Sequence, residues 1–180
     1  NSDYVLIKDN IVLFNTPEKI RQLREYYKDS TTLKALGFEA KIGTVVWNQV
    51  KDKLTHDESN TLLIYSGDIK DNKLSIQKYK NIEKKNYIDK EGINDVLLVV
   101  NRGYGNAKYN FTYCLIDMEK EYLVENHLIC IKSKEKRSNE ELRECYTNII
   151  NSFENEKTKK FIGLYFGNNA INTAELNEIL

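Results

Sequence analysis

The chain changes its hydrophobic period near Ser138, after a long strand-like stretch, and that switch limits the folds open to it more than any other feature. From residue 38 to 133 the apolar residues come in short runs: FEAKIGTVVW, TLLIYS, KLSIQKY, DVLLVVNR, KYNFTYCLI, YLVE and HLICIKS. Each is rich in β-branched or aromatic residues and ends in polar turn residues, the pattern of strands. From 138 onward, SNEELRECYTNIINSFEN sets Leu142, Cys145, Tyr146, Ile149, Ile150 and Phe153 on one helical stripe, with Ser138 or Asn139 as its cap. KTKKFIGLYF predicts a second helix, and Asn172 with Glu175 forms a capping-box pattern that opens a third. At the other end, YVLIKDNIVLF reads as a hairpin about Lys8, Asp9 and Asn10. Thr16 and Pro17 then start a helix with Ile20, Leu23, Tyr26 and Tyr27 on one face, and TTLKAL makes a helical turn that Gly37 ends. The expectation is an α+β domain with a curved, mostly antiparallel sheet, and helices at the N-terminus and clustered at the C-terminus.

A chain of 180 residues suits one domain with a real core, and its 41% apolar content with 12 Tyr and 6 Phe suits a folded protein. No apolar run is long enough to cross a membrane as a helix, and NSDYVLIKDN lacks the charge-then-apolar order of a secretory signal. Cys114, Cys130 and Cys145 are widely spaced and odd in number, which fits a reducing, cytoplasmic setting better than a disulfide framework or a zinc site. With two histidines, His56 and His127, no histidine-rich metal centre is expected. The start at Asn1, a single methionine at Met118 and an end inside TAELNEIL suggest a piece of a longer polypeptide.

Several chemistries lack their residues. No G-x-S-x-G elbow is present. Gly103 and Gly105 make a G-x-G, but a strand-like KYNFTYCLI follows where a phosphate-binding loop needs a helix, so a hairpin turn using positive φ is expected. Glu39-Ala40-Lys41 on a predicted strand, with Asp29 upstream, has the elements of a magnesium nuclease: carboxylates for the ion and a lysine for the attacking water. The plainer reading puts Glu39 and Lys41 on the solvent side of an amphipathic strand.

Four clusters interrupt the apolar runs with amides, arginine and glycine: VVWNQVKDKL (45–54), VVNRGYGNAKYNF (99–111), YLVENHLICI (122–131) and FGNNAINTAEL (166–176). Asn and Gln can pair bidentately with adenine and Arg with guanine, while Trp and Tyr stack on bases or pack on sugars. In order and content, LGFEAKIGTVVWNQVKDKL, TLLIYSGDI, LVVNRGYGNAKYNF, YLVENHLICI and FIGLYFGNNAINTAELNEIL resemble the C-terminal target-recognition domain of adenine-specific (N6) DNA methyltransferases of type II restriction–modification systems. The resemblance covers roughly residues 30 to 180. It implies a single recognition domain over 1–180 that binds double-stranded DNA beside a catalytic lobe of the same parent chain. That lobe would hold S-adenosylmethionine and an Asn-Pro-Pro-aromatic motif. A chain whose one proline is Pro17 cannot carry the motif, so this fragment is expected to need no cofactor and to be non-catalytic by itself.

On this reading Asn48, Gln49, Arg102 and Asn106 read base edges. Lys51, Lys53, Lys108 and either Lys84 or Lys85 hold phosphates, Trp47 and Tyr104 pack on sugar or base, and Asn101, Asn168 and Asn169 complete the contact surface. Each has a structural alternative. Trp47 can be core, Asn101 and Arg102 can satisfy turn carbonyls, and His127 can be a hydrogen-bonded structural residue. Asn168, Asn169 and Asn172 can be a C-cap, a turn and an N-cap. The runs KKNYIDK and KSKEKR can be solvated loops. Besides the nuclease, a module that binds only another protein is the remaining class; it would carry an exposed apolar patch on the C-terminal helices. The net charge of zero, from 27 basic and 27 acidic residues, requires any DNA contact to rest on a local basic patch.

Overall fold

The computed structural model describes residues 2–8, 11–28, 30–103, 110–165 and 170–178. The hairpin is present as β1 (Val5–Lys8) and β2 (Ile11–Phe14), paired antiparallel. Helix α1 (Pro17–Tyr27) follows, capped by Thr16 Oγ1, which accepts the Lys19 N–H, and it buries Ile20 and Leu23. Gly37 ends the next turn at φ +79°, a conformation glycine adopts without strain. Then come β3 (Phe38–Ile42), β4 (Leu54–Thr55), β5 (Thr61–Ile64), β6 (Ile69–Lys70), β7 (Lys73–Leu74), β8 (Tyr87–Ile88), β9 (Leu97–Asn101), β10 (Tyr113–Ile116), β11 (Tyr122–Val124) and β12 (Leu128–Ser133). Helices α2 (Asn139–Glu154), α3 (Glu156–Tyr165) and α4 (Thr173–Asn177) close the chain. Ser138 with Glu141, and Asn172 with Glu175, form capping boxes at α2 and α4.

β1-β2 and β6-β7 are separate two-stranded antiparallel pairs, and the other eight of the twelve described strands form two four-stranded sheets rather than one. The first has the order β10-β9-β12-β3 and is antiparallel throughout; the second, β11-β5-β8-β4, contains one parallel pair, β11 with β5. The first sheet lies in the middle of the molecule. On one face Phe38, Ala40, Leu98, Val100, Ile129 and Ile131 pack with Ile20, Leu142, Tyr146, Ile149 and Phe153 of the helices. On the other, Leu97, Val99, Leu128 and Cys130 meet Leu62, Ile64, Tyr122 and Val124 of the second sheet. Burial on both faces explains why β9 reads LLVV without alternation. The second sheet's outer face carries Leu63, Tyr65, Ile88 and Leu123 and is covered by Val45, Trp47, Val50 and Tyr79. The order is helices, sheet, sheet, then an irregular layer supplied by residues 45–54 and the segment around Tyr79.

Two expected strands are shorter than their apolar patterns. FEAKIGTVVW pairs only through Ile42, because the chain leaves the first sheet at Gly43 and crosses to the second. A Cβ on Gly43 would lie 2.3 Å from the Glu125 carbonyl oxygen and 2.7 Å from that of Val124, so only glycine lets the backbone through. KLSIQKY pairs only over Lys73–Leu74, and residues 75–79 form no regular element. Their backbone and side chains turn to the carboxylate of Asp68 instead, as described below.

Candidate nucleic-acid interface

Beyond Gly43, Val45 bonds across to the 124–126 turn: its N–H donates to Val124 O at 3.2 Å, and its carbonyl accepts the Asn126 N–H at 2.9 Å. Trp47–Gln49 then form one 3₁₀ turn, and Lys51–Lys53 another. Trp47 is half-buried and packs in the outer cluster with Val45 and Tyr79, while Asn48, Gln49, Lys51 and Lys53 are exposed. Lys51 Nζ lies 5.8 Å from the centre of the Trp47 ring and 2.6 Å from Glu83 Oε2. Trp47 therefore serves the core with one side and borders a polar rim with the other.

The second cluster reaches the same turn. Arg102 N–H donates to His127 O at 3.1 Å, its Nη1 donates to Asn126 O at 3.3 Å, and its own carbonyl accepts the Ile171 N–H at 2.8 Å. Asn101 Oδ1 accepts the Gly103 N–H at 3.0 Å, and Gly103 has φ +81°. Gly103 thus has the positive φ expected of the first glycine of G-x-G, and Gly105 with the rest of the expected turn lies outside the described residues. Asn126 thus bonds both to residue 45 and to residue 102, and Ile171 ties the fourth cluster to the second. Segments far apart in sequence, near 45, 102, 126 and 171, meet on one rim.

Behind this rim sits a buried carboxylate. Glu125 is 1% exposed. It accepts the His127 backbone N–H at 3.1 Å, and its other oxygen pairs with His127 Nδ1. His127 is held by these bonds, which is the structural use expected of it. A second buried carboxylate, Asp68, accepts three hydrogen bonds: from Tyr65 N–H at 2.9 Å, Gln77 N–H at 2.8 Å and Tyr79 O–H at 2.8 Å. Burial pushes the Asp68 carboxyl above the ordinary carboxylate range, with those donors pulling the other way. Lys84 Nζ lies 4.1 Å from the Tyr65 ring centre and 4.0 Å from that of Tyr79. Burial lowers the Lys84 ammonium's pKa, while the charges of Glu125 and Asp68 favour it. The Lys84 ammonium thus lies in the field of both buried acids, and Lys85 Nζ donates to Leu54 O at 3.0 Å.

Tyr104, Asn106, Lys108, Asn168 and Asn169 lie outside the described residues. So does Asp29 of the nuclease reading. Glu39 and Lys41 pair with each other at 2.6 Å on the outer face of β3, opposite buried Phe38 and Ala40. Among the described residues no group of three or more His, Cys, Asp or Glu is placed to hold a metal ion. Among the same residues the exposed large apolar side chains include Ile7, Val12 and Phe14 of the hairpin and Ile76 and Ile82, with none on α2–α4. No described helix is long and apolar enough to cross a membrane. Asp68 and its loop were not expected from the sequence; a carboxylate three residues after the TLLIY run, across Ser66-Gly67, was the available signal. No known family model matches the chain, and no curated protein matches it.

Proposed function

We propose that the chain is the DNA sequence-recognition domain of an adenine-N6 methyltransferase, acting beside a separate lobe that binds S-adenosylmethionine and the flipped target adenine. One observation carries the reading. The amide- and arginine-bearing clusters, scattered between residues 45 and 171, are joined at Asn126 and Arg102 into one rim. A duplex laid on that rim would meet Asn48, Gln49 and Arg102 as base-reading groups, and the sequence reading adds Asn106 to them. Lys51, Lys53 and Lys108 would answer phosphates. The Lys51–Glu83 pair is half-exposed, and pairs of this kind contribute about 0–1 kcal/mol, so a phosphate can replace the glutamate at little cost.

Arg102 keeps guanidinium donors beyond the one spent on Asn126 O, enough for bidentate contact with a guanine edge. The test is selection of bound duplexes from a randomised pool, followed by Arg102→Ala. The expected result is enrichment of one short sequence, with preference relaxed at one base pair at a cost of about 1–3 kcal/mol. Equal losses for selected and scrambled duplexes would remove Arg102 from base reading, and no enrichment from the pool would refute the proposal.

A further inference from the structure

Residues 75–86 join β7 to β8 without regular structure of their own, yet their anchors are many. Gln77 N–H and Tyr79 O–H donate to Asp68, and Asn86 Nδ2 donates to Gln77 O at 3.0 Å. Tyr65 O–H donates to Lys85 O at 2.7 Å, and the Asn81 side chain accepts the Glu83 N–H at 3.0 Å. A loop of this length inside a compact domain, fixed by buried polar groups, is the kind of segment that carries function. Its outer surface combines two features. Lys78 and Lys80 are exposed, while Lys84 and Lys85 turn inward to the tyrosine rings and to Leu54 O. The loop thus presents two outward ammonium groups beside the one acid Glu83, which pairs with Lys51. Ile82, between Lys80 and Lys84, is 85% exposed, Ile76 just before Lys78 is 42% exposed, and both line a groove of about 480 Å³. The loop abuts the proposed reading rim through Tyr79, which packs on the same buried cluster as Trp47, and through Glu83, paired with Lys51.

We infer that this loop is a second DNA-gripping element, in which Lys78 and Lys80 take phosphates and Ile82 enters a base-pair step as an apolar wedge. The inference rests on the reading proposed above and adds to it a deformation of the duplex. Branched aliphatic side chains can part stacked base pairs from the minor groove, kinking the duplex as they do so. A wedge works only on a stiff mount, since the stack pushes back; the Asp68 anchor supplies one. The clustered lysines suit a polyanion, and phosphates flanking the kinked step are the polyanion a duplex presents there. Lys84 stays with the tyrosines and the buried acids, so Lys78 and Lys80 are the pair that reaches outward; among the described residues no carboxylate pairs with either.

The test uses the 180-residue chain and duplexes of the selected sequence, labelled at both ends for energy transfer and carrying 2-aminopurine at successive steps. The intact chain is expected to shorten the end-to-end distance and to brighten 2-aminopurine at one step. Ile82→Ala should abolish both signals and weaken binding about tenfold, with Ile82→Leu restoring them. Lys78→Ala with Lys80→Ala should lower the salt slope by about two. Ile82 is exposed, so its variants are expected to melt with the parent. Binding that survives all these changes, with straight duplexes throughout, overturns the wedge and leaves the recognition reading standing. Bending that is lost in Ile82→Ala but occurs on every sequence alike keeps the wedge and overturns sequence recognition. Failure to bind any duplex, or displacement of duplex by polyglutamate at equal charge concentration, overturns the wedge as well.

Discussion

Replacing Asp68 by alanine isolates the anchor of the irregular layer. Three donors converge on its carboxylate at 2.8–2.9 Å, and two of them are backbone N–H groups, of Tyr65 and Gln77. A hydrogen bond to a charged acceptor contributes about 1.5–3 kcal/mol net, and a buried N–H left without a partner costs about 1–3 kcal/mol. Against this stands the burial of the carboxylate itself, which its raised pKa records. Two orphaned N–H groups, offset by relief of the buried charge, give a loss of about 3 kcal/mol for Asp68→Ala. With a urea m-value of about 2 kcal/mol/M, the unfolding midpoint should fall by about 1.5 M at unchanged m. Tyr79→Phe removes one donor and leaves both N–H bonds, so it should cost about 1 kcal/mol. A pH series supplies the sign. The native carboxyl holds its proton to higher pH than the unfolded one, so the parent gains stability from this group at low pH. It loses that gain as pH rises through the native pKa. In Asp68→Asn that segment of the curve should be absent. An Asp68→Ala midpoint within about 0.3 M of the parent would show that these bonds do not hold the loop and would refute the argument.

Two further outcomes follow from packing. Gly43→Ala would place a methyl 2.3 Å from one backbone oxygen and 2.7 Å from another, neither able to swing aside; it should cost at least about 3 kcal/mol and lower Tm by about 6–12 °C in a thermal scan. Burial raises the thiols of Cys114 and Cys130 to about 11, while Cys145 is half-buried on α2. Iodoacetamide at pH 8 should therefore label Cys145 first in the native chain, and reach Cys114 and Cys130 only on unfolding; mass spectrometry of the peptides would show the order.

The sequence by itself determined the local elements. Thr16, Ser138 and Asn172 marked three helix starts because a side-chain acceptor for the first free N–H groups is a short-range requirement. The apolar runs marked β5, β9, β10 and β12 because burial on a sheet face selects branched and aromatic residues along the strand itself. The α+β class followed from their order. The tertiary structure decided what those patterns could not carry. The division into two sheets depends on which run pairs with which, and short alternating segments pair with many partners equally well. KLSIQKY has a strand's alternation, but Asp68 offers its backbone a stronger acceptor than a neighbouring strand would, so it forms a loop. The joining of residues 45, 102, 126 and 171 on one rim depends on Gly43 passing over the Glu125 backbone, a close approach visible only in three dimensions. Local spacing fixes caps and strands because its interactions lie within a few residues; the loop is held by contacts 9 to 20 residues apart and the rim by contacts 24 to 81 residues apart.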